Sequence, residues 1–307
     1  MSNKEIPVFL FSGFLDSGKT TLIKEIVSKN DAYKHYNTLI IATEDGEVEY
    51  DLAWQKENEV NVVIVDEEEI KDELFYYELY KKYKPNQIVM ELNAFIDEEL
   101  FSLPRNFVVY QEITLFDATK FELYYNNMKP LINKMVQYST LVVFNRCLNN
   151  SNLSKYRRNI KAFNQKCDVA FENPDGKMTT ILNEDLPYDI ESKSFIINDK
   201  DFPIFYLDIY EAYNKYEGKI ITFNTYIRGI EEESIIVGRK IMTCCEDDIQ
   251  FYGFECLSNT DVENNTYVEL TCMPVKYYSE IAKREVIMLK ALNIKKLDYV
   301  EEEYLEF

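Results

Sequence analysis

A chain of 307 residues is long enough for two hydrophobic cores, because single cores stop growing near ~250–300 residues. Acidic residues outnumber basic ones 54 to 34, a net charge of −20, which argues against nucleic acid or an anionic membrane as the partner. No apolar run approaches the ~20 residues of a membrane span, no secretory leader is recognisable, and the six cysteines show no C-x-x-C spacing; a cytoplasmic chain with free thiols and no direct membrane insertion is expected.

In chain order the first predicted element is a buried strand over Ile6–Phe11. It runs into Gly13-Phe14-Leu15-Asp16-Ser17-Gly18-Lys19-Thr20-Thr21, which satisfies G-x-x-x-x-G-K-[ST] in full. Leu22, Ile23, Ile26 and Val27 then recur at helical spacing. Strand, loop and helix N-terminus in that order cradle phosphate, because backbone N–H groups converge on its oxygens and the helix adds positive potential. Gly13, Asp16, Ser17, Gly18, Lys19, Thr20 and Thr21 are therefore predicted to bind a nucleoside triphosphate. Lys19 would reach the β- and γ-phosphates, and the Thr20 hydroxyl would serve Mg²⁺.

Thr38–Ala42, Val60–Val65, Gln87–Leu92, Ile113–Phe116, Leu141–Phe144 and Asp168–Phe171 follow as short apolar runs, separated in several places by helical patterns such as Ile70, Leu74, Leu79 and Tyr83. That alternation predicts an α/β fold with a mostly parallel sheet. Turn residues at Asn173-Pro174-Asp175-Gly176 open a polar stretch to about Lys200, and from Phe202 the chain reads as strand-rich. Candidate strands are Lys219–Ile227, Ser234–Met242, Gln250–Leu257, Tyr267–Met273 and Glu285–Ala291. The expected organisation is a nucleotide-binding domain over 1–175, a linker over 176–201 and a smaller β-rich domain over 202–307.

The residues around the glycine loop resemble the CobW/HypB/UreG class of P-loop GTPases, whose members insert or deliver metal ions. The likeness continues in order through Thr43-Glu44-Asp45-Gly46-Glu47-Val48, Ile88–Ala94, Ile113–Ala118 and Leu141–Leu148. The resemblance implies an Mg²⁺-dependent NTPase using GTP or ATP. On that basis Lys19, Glu44 and Glu91 are the catalytic candidates, with Glu91 also near Mg²⁺ and Glu44 as a switch residue that orients water or a second cation. Asp117 is either another site residue or a cap for the following helix.

Three departures are visible. Leu148 stands where the class's N-K-x-D element carries the aspartate that meets guanine, and Arg146 replaces the lysine. Asn145 is left either to touch the purine or to act as an end-of-strand turn residue. Ala94 occupies the place of the switch glycine. Asp66-Glu67-Glu68-Glu69 replaces the cysteine motif of metal-carrying members and reads as a solvated acidic helix start, while His35 is the only histidine.

Farther on, Gly238-Arg239-Lys240-Ile241-Met242-Thr243-Cys244-Cys245 through Phe254 resembles an uncharacterised bacterial domain found behind membrane helices beside a predicted permease, with a suspected OB-like fold. Tyr216–Ile220 and Asn265–Val268 agree with its strand starts. Cys244 and Cys245, with Asp247 and Asp248 nearby, either hold Zn²⁺ or serve as small hydrophobes. Two readings follow: an NTPase coupled to a metal or protein client, and a non-hydrolysing scaffold for a transporter subunit. A small-molecule kinase is disfavoured, because no lid-like run with paired arginines is present.

Overall fold

The computed structural model describes residues 5–29, 36–44, 46–97, 101–147, 152–173, 175–180, 186–230, 233–243, 246–258, 263–280, 283–298 and 304–306. The chain divides into two compact units, Met1–Leu182 and Asn183–Phe307. His35, Asp45, Leu148, Cys244 and Cys245 lie outside the described residues.

The first unit is built on β1 (Ile6–Gly13), β2 (Thr38–Ala42), β3 (Val60–Ile64), β4 (Gln87–Asn93), β5 (Phe107–Asp117), β6 (Leu141–Asn145), β7 (Asp168–Glu172) and the short β8 (Met178–Thr179). Their order across the sheet is β3-β2-β4-β1-β5-β6-β7-β8, parallel throughout except that β8 runs against β7. Parallel strands must be covered on both faces, and the side chains divide accordingly. On one face Phe11, Ile40 and Val89 pack with Ile23 and Val27 of helix α1 (Lys19–Lys29). On the other, Leu10, Ile41 and Met90 meet Tyr76 and Leu79 of α3 (Glu73–Tyr83), the short α2 (Leu52–Glu57) having come between β2 and β3. Phe116, Phe144 and Phe171 carry that layer on beneath α4 (Phe121–Val136) and α5 (Leu153–Phe163). Each fully buried aliphatic or aromatic side chain contributes about 1.5–3 kcal/mol. Pro130 lies inside α4, and Met128 leaves helical geometry there, so the helix is kinked.

The second unit contains β9 (Ser194–Ile197), α6 (Phe202–Glu211), β10 (Ile220–Ile230), β11 (Ser234–Met242), β12 (Ile249–Leu257), β13 (Tyr267–Ser279), β14 (Arg284–Lys296) and β15 (Leu305–Glu306). Five of these strands pair in a ring, β10-β11-β12-β14-β13 and back to β10. The β12–β14 junction is parallel and only two residue pairs long, whereas the others in the ring are antiparallel. This is the partly open, five-stranded Greek-key barrel of the OB type. Gly238 and Gly253 face each other across β11 and β12, and a Cβ on Gly238 would fall 2.6 Å from the Gly253 Cα. Two glycines let the strands approach at that point.

Residues 176–201 are shared between the units: Met178–Thr179 pair with β7, and Ser194–Ile197 pair in parallel with β10. The strand-rich reading from Phe202 misses α6, whose start is set by Pro203 in its first turn. Phe202 and Phe205 of this helix enter the barrel core against Phe223 and Phe254. Four cysteines, Cys147 and Cys167 in the first unit and Cys256 and Cys272 in the second, are buried free thiols. Burial pushes the thiols of Cys147 and Cys167 up to about 11 and that of Cys256 up to about 12.

Candidate nucleotide site

The loop between β1 and α1 has an unusual backbone. Asp16 lies in the left-handed region at φ 58°, and Gly18 at φ 98°. A Cβ on Gly18 would sit 2.5 Å from Asn145 Nδ2, so a close approach of β6 to the loop, and not only backbone freedom, demands glycine there. Asn145 uses that approach to donate from Nδ2 to the Ser17 carbonyl at 2.6 Å.

Lys19 is 2 % exposed, and its ammonium donates to the carbonyls of Gly13 and Phe14, each at 2.9 Å. It also forms an ion pair with Glu44. The other oxygen of Glu44 accepts from Asn93 Nδ2 at 2.5 Å. Thr43 Oγ1 knits the same two segments together, donating to the Glu91 carbonyl and accepting from the Asn93 N–H, both at 3.1 Å.

Glu91 is buried at the end of β4, where its register partner on β1 is Phe11. Oε1 accepts from the Thr20 hydroxyl at 2.7 Å, and Oε2 accepts from the Tyr50 hydroxyl at 2.5 Å. Burial raises the Glu91 carboxyl above its ordinary range; hydrogen bonds from Tyr50 and Thr20 and the charge of Lys19 only partly oppose it. The Tyr50 phenol is raised as well, by burial first and then by the neighbouring Glu91.

The third corner is formed by Asp117, Arg146 and Glu172. Arg146 takes φ 51°, donates from its guanidinium to Asp117 Oδ2 at 2.7 Å and to the Asp16 carbonyl at 3.0 Å, and donates its backbone N–H to Glu172 Oε2 at 3.3 Å. Asp117 Oδ1 also accepts from the Thr119 N–H and hydroxyl, which holds the turn that leads into α4. Burial acts to raise its carboxyl, but the Thr119 and Arg146 hydrogen bonds outweigh that and keep it low.

The structure thus brings Gly13, Asp16, Ser17, Gly18, Lys19, Thr20, Glu44, Glu91 and Asn145 to one loop mouth, with Thr21 exposed at its edge. Tyr50 and Asn93 join them without a pattern in the sequence to announce them. Ala94 is buried and is not among the residues at positive φ. Asp248 binds the Thr243 hydroxyl and Gln250 Nε2, and no group of three or more His, Cys, Asp or Glu side chains suited to a metal occurs among the described residues. The acidic run 66–69 is exposed, and Lys71 bridges Glu67 and Glu68. A hydroxyl and a carboxylate beside a phosphate cradle do suit Mg²⁺, a hard ion that takes few protein ligands and completes its shell with phosphate and water.

The family model of the CobW/HypB/UreG nucleotide-binding domain matches residues 7–171, and that of the DUF1980 C-terminal domain matches residues 173–305. A search of curated proteins returned no relative. Among solved structures, the Zn(II)-bound YjiA GTPase from E. coli is similar at 16 % identity and TM-score 0.44, covering 98 % of this chain and 96 % of that one. HypB from Helicobacter pylori in complex with nickel is similar at 12 % identity and TM-score 0.40, covering 56 % and 81 %. HypB from Archaeoglobus fulgidus, a hydrogenase maturation factor, gives 13 %, 0.39, 55 % and 81 %. No described helix is long and apolar enough to cross a membrane.

Proposed function

The chain belongs to the CobW/HypB/UreG family through its nucleotide-binding domain, and from that membership we propose that it binds and hydrolyses a nucleoside triphosphate, most simply GTP, and couples this to a metal or protein client. The observation that carries the reading is the convergence of Lys19, Thr20, Glu44 and Glu91 at one loop mouth. Incoming β- and γ-phosphates replace Glu44 and the two loop carbonyls as partners of the Lys19 ammonium. Thr20 and Glu91 would hold Mg²⁺, which when bound neutralises charge on the phosphate oxygens. Glu44, freed from Lys19, is positioned to orient water.

Displacing Glu44 also pulls on Asn93, because the two are hydrogen-bonded. The segments around Glu44 and Glu91 therefore form a natural switch, which would pass nucleotide state to whatever the second unit engages. Client engagement through that unit, with Cys244 and Cys245 as Zn²⁺ ligands, belongs to the same proposal. Ala94 and Leu148 favour a second reading, in which nucleotide orders a scaffold for a transporter subunit without being hydrolysed. Phosphate release from GTP and from ATP, compared with Lys19→Ala, separates the two. Turnover above the variant supports the enzyme; binding without turnover supports the scaffold.

A further inference from the structure

Beside the phosphate cradle a second cavity is lined by Gly18, Thr21, Asn145, Arg146, Glu172 and Met178 among others. It lies off the carboxyl ends of β6 and β7, where open α/β sheets place ligands. Phe144 and Phe171 are register partners on these parallel strands, so Asn145 and Glu172, each one residue farther on, share a register position and a face of the sheet. Among the described residues two acceptors are left unused there: Asn145 Oδ1 is buried with no hydrogen-bond partner, and Glu172 Oε1 has none. The Arg146 guanidinium, although Arg146 lines the cavity, is turned to Asp117 and the Asp16 carbonyl.

We propose that Glu172 selects the base of the bound nucleotide, taking the place of the carboxylate that the N-K-x-D element lacks at Leu148. This rests on the nucleotide-binding reading above. A carboxylate can only accept hydrogen bonds; the Arg146 N–H holds one of its oxygens, and Glu172 lines the cavity. The N1–H and N2–H₂ edge of guanine offers two donors side by side, whereas the matching edge of adenine offers the unprotonated N1 and a C2–H. A charged acceptor facing a donor-only edge forms the stronger class of hydrogen bond; facing the N1 lone pair of adenine it is repelled. Glu172 is thus a guanine-recognising residue brought from the next strand, outside the element where such a group is normally sought.

The test is calorimetric titration of GDP, ADP, XDP (xanthosine diphosphate) and pyrophosphate, each with Mg²⁺, against the full chain and its Glu172→Gln and Glu172→Ala variants. Wild type is expected to prefer GDP to ADP by about tenfold or more, the scale of one charge-assisted hydrogen bond. Both variants should lose that preference while ADP and pyrophosphate stay within about twofold, and Glu172→Gln should gain XDP, whose C2 oxygen matches the new amide N–H. An equal loss for GDP and ADP would mark Glu172 as a mere support for Arg146 and overturn the proposal, as would an unchanged GDP preference in both variants. Wild type that binds pyrophosphate and ADP, but GDP no better, sinks this assignment alone. Wild type that binds none of them sinks the nucleotide reading with it.

Discussion

Thr20 and Glu91, 71 residues apart in the chain, are joined by a 2.7 Å hydrogen bond from hydroxyl to carboxylate across the mouth of the loop. The bond places the hydroxyl and the carboxylate where the cradle opens, and it holds a buried acid that would otherwise be costly to ionise.

That cost gives a pH signature. Burial raises the folded-state value of Glu91 above the ordinary 4.5, so the folded protein binds the extra proton between the two values. Stability from this group is complete below the unfolded value and is lost as pH rises through the folded one. Nucleotide-free protein is therefore expected to show a falling thermal midpoint across that window, and Glu91→Gln a flatter profile. The check is thermal unfolding from about pH 4 to about pH 8; parallel profiles would remove Glu91 as the cause.

Glu44 competes with phosphate for Lys19. Glu44→Gln removes both the competitor and a like charge facing the anion, so binding should tighten by several-fold, about 0.5–1 kcal/mol, while phosphate release falls. Calorimetry and a turnover assay on one preparation test the opposed directions. Weaker binding in the variant would show that Glu44 supports the site and does not screen it.

Gly18→Ala places a Cβ against Asn145 Nδ2 and forces a side chain to φ 98°. A destabilisation of about 1–3 kcal/mol is expected, with loss of nucleotide binding. Chemical unfolding measures the first and calorimetry the second. Retention of both would mean that the loop adopts another course.

In the second unit Arg239, 1 % exposed, pairs with Asp199 at 3.1 Å and lies over the rings of Tyr226 and Tyr267. Removing only the anion leaves a buried cation, so Asp199→Ala should cost about 1–3 kcal/mol. Asp199→Ala with Arg239→Met should cost less than Asp199→Ala alone, because both charges are gone. Urea unfolding of the single and double variants decides it; an additive double variant would deny the coupling.

The loop was legible in the sequence because its chemistry is local: four fixed positions, Gly13, Gly18, Lys19 and Thr20, between a strand and a helix. Glu91 was reached through the resemblance of Ile88–Ala94 to the class, near the C-terminal end of a buried strand. Tyr50 and the Asn93–Glu44 bond were not, since they depend on how two loops fold back over the sheet edge. Helix α6 escaped because Phe202, Phe205, Leu207 and Ile209 are all buried, and a helix apolar on most sides reads like a strand run. The barrel's strands were largely visible, and an OB-like fold was suspected through the resemblance alone; the short parallel β12–β14 pairing joins segments that no single run encodes.

The four sequestered thiols are a ready-made gauge of local opening. A thiol whose proton is held up to about 11 or 12 is almost never a thiolate at neutral pH, so an alkylating reagent must wait for the surrounding packing to part. Cys147 and Cys167 report on one half of the molecule, Cys256 and Cys272 on the other. With Cys244 and Cys245 replaced by serine, peptide-resolved labelling rates with and without nucleotide would show which half the ligand steadies.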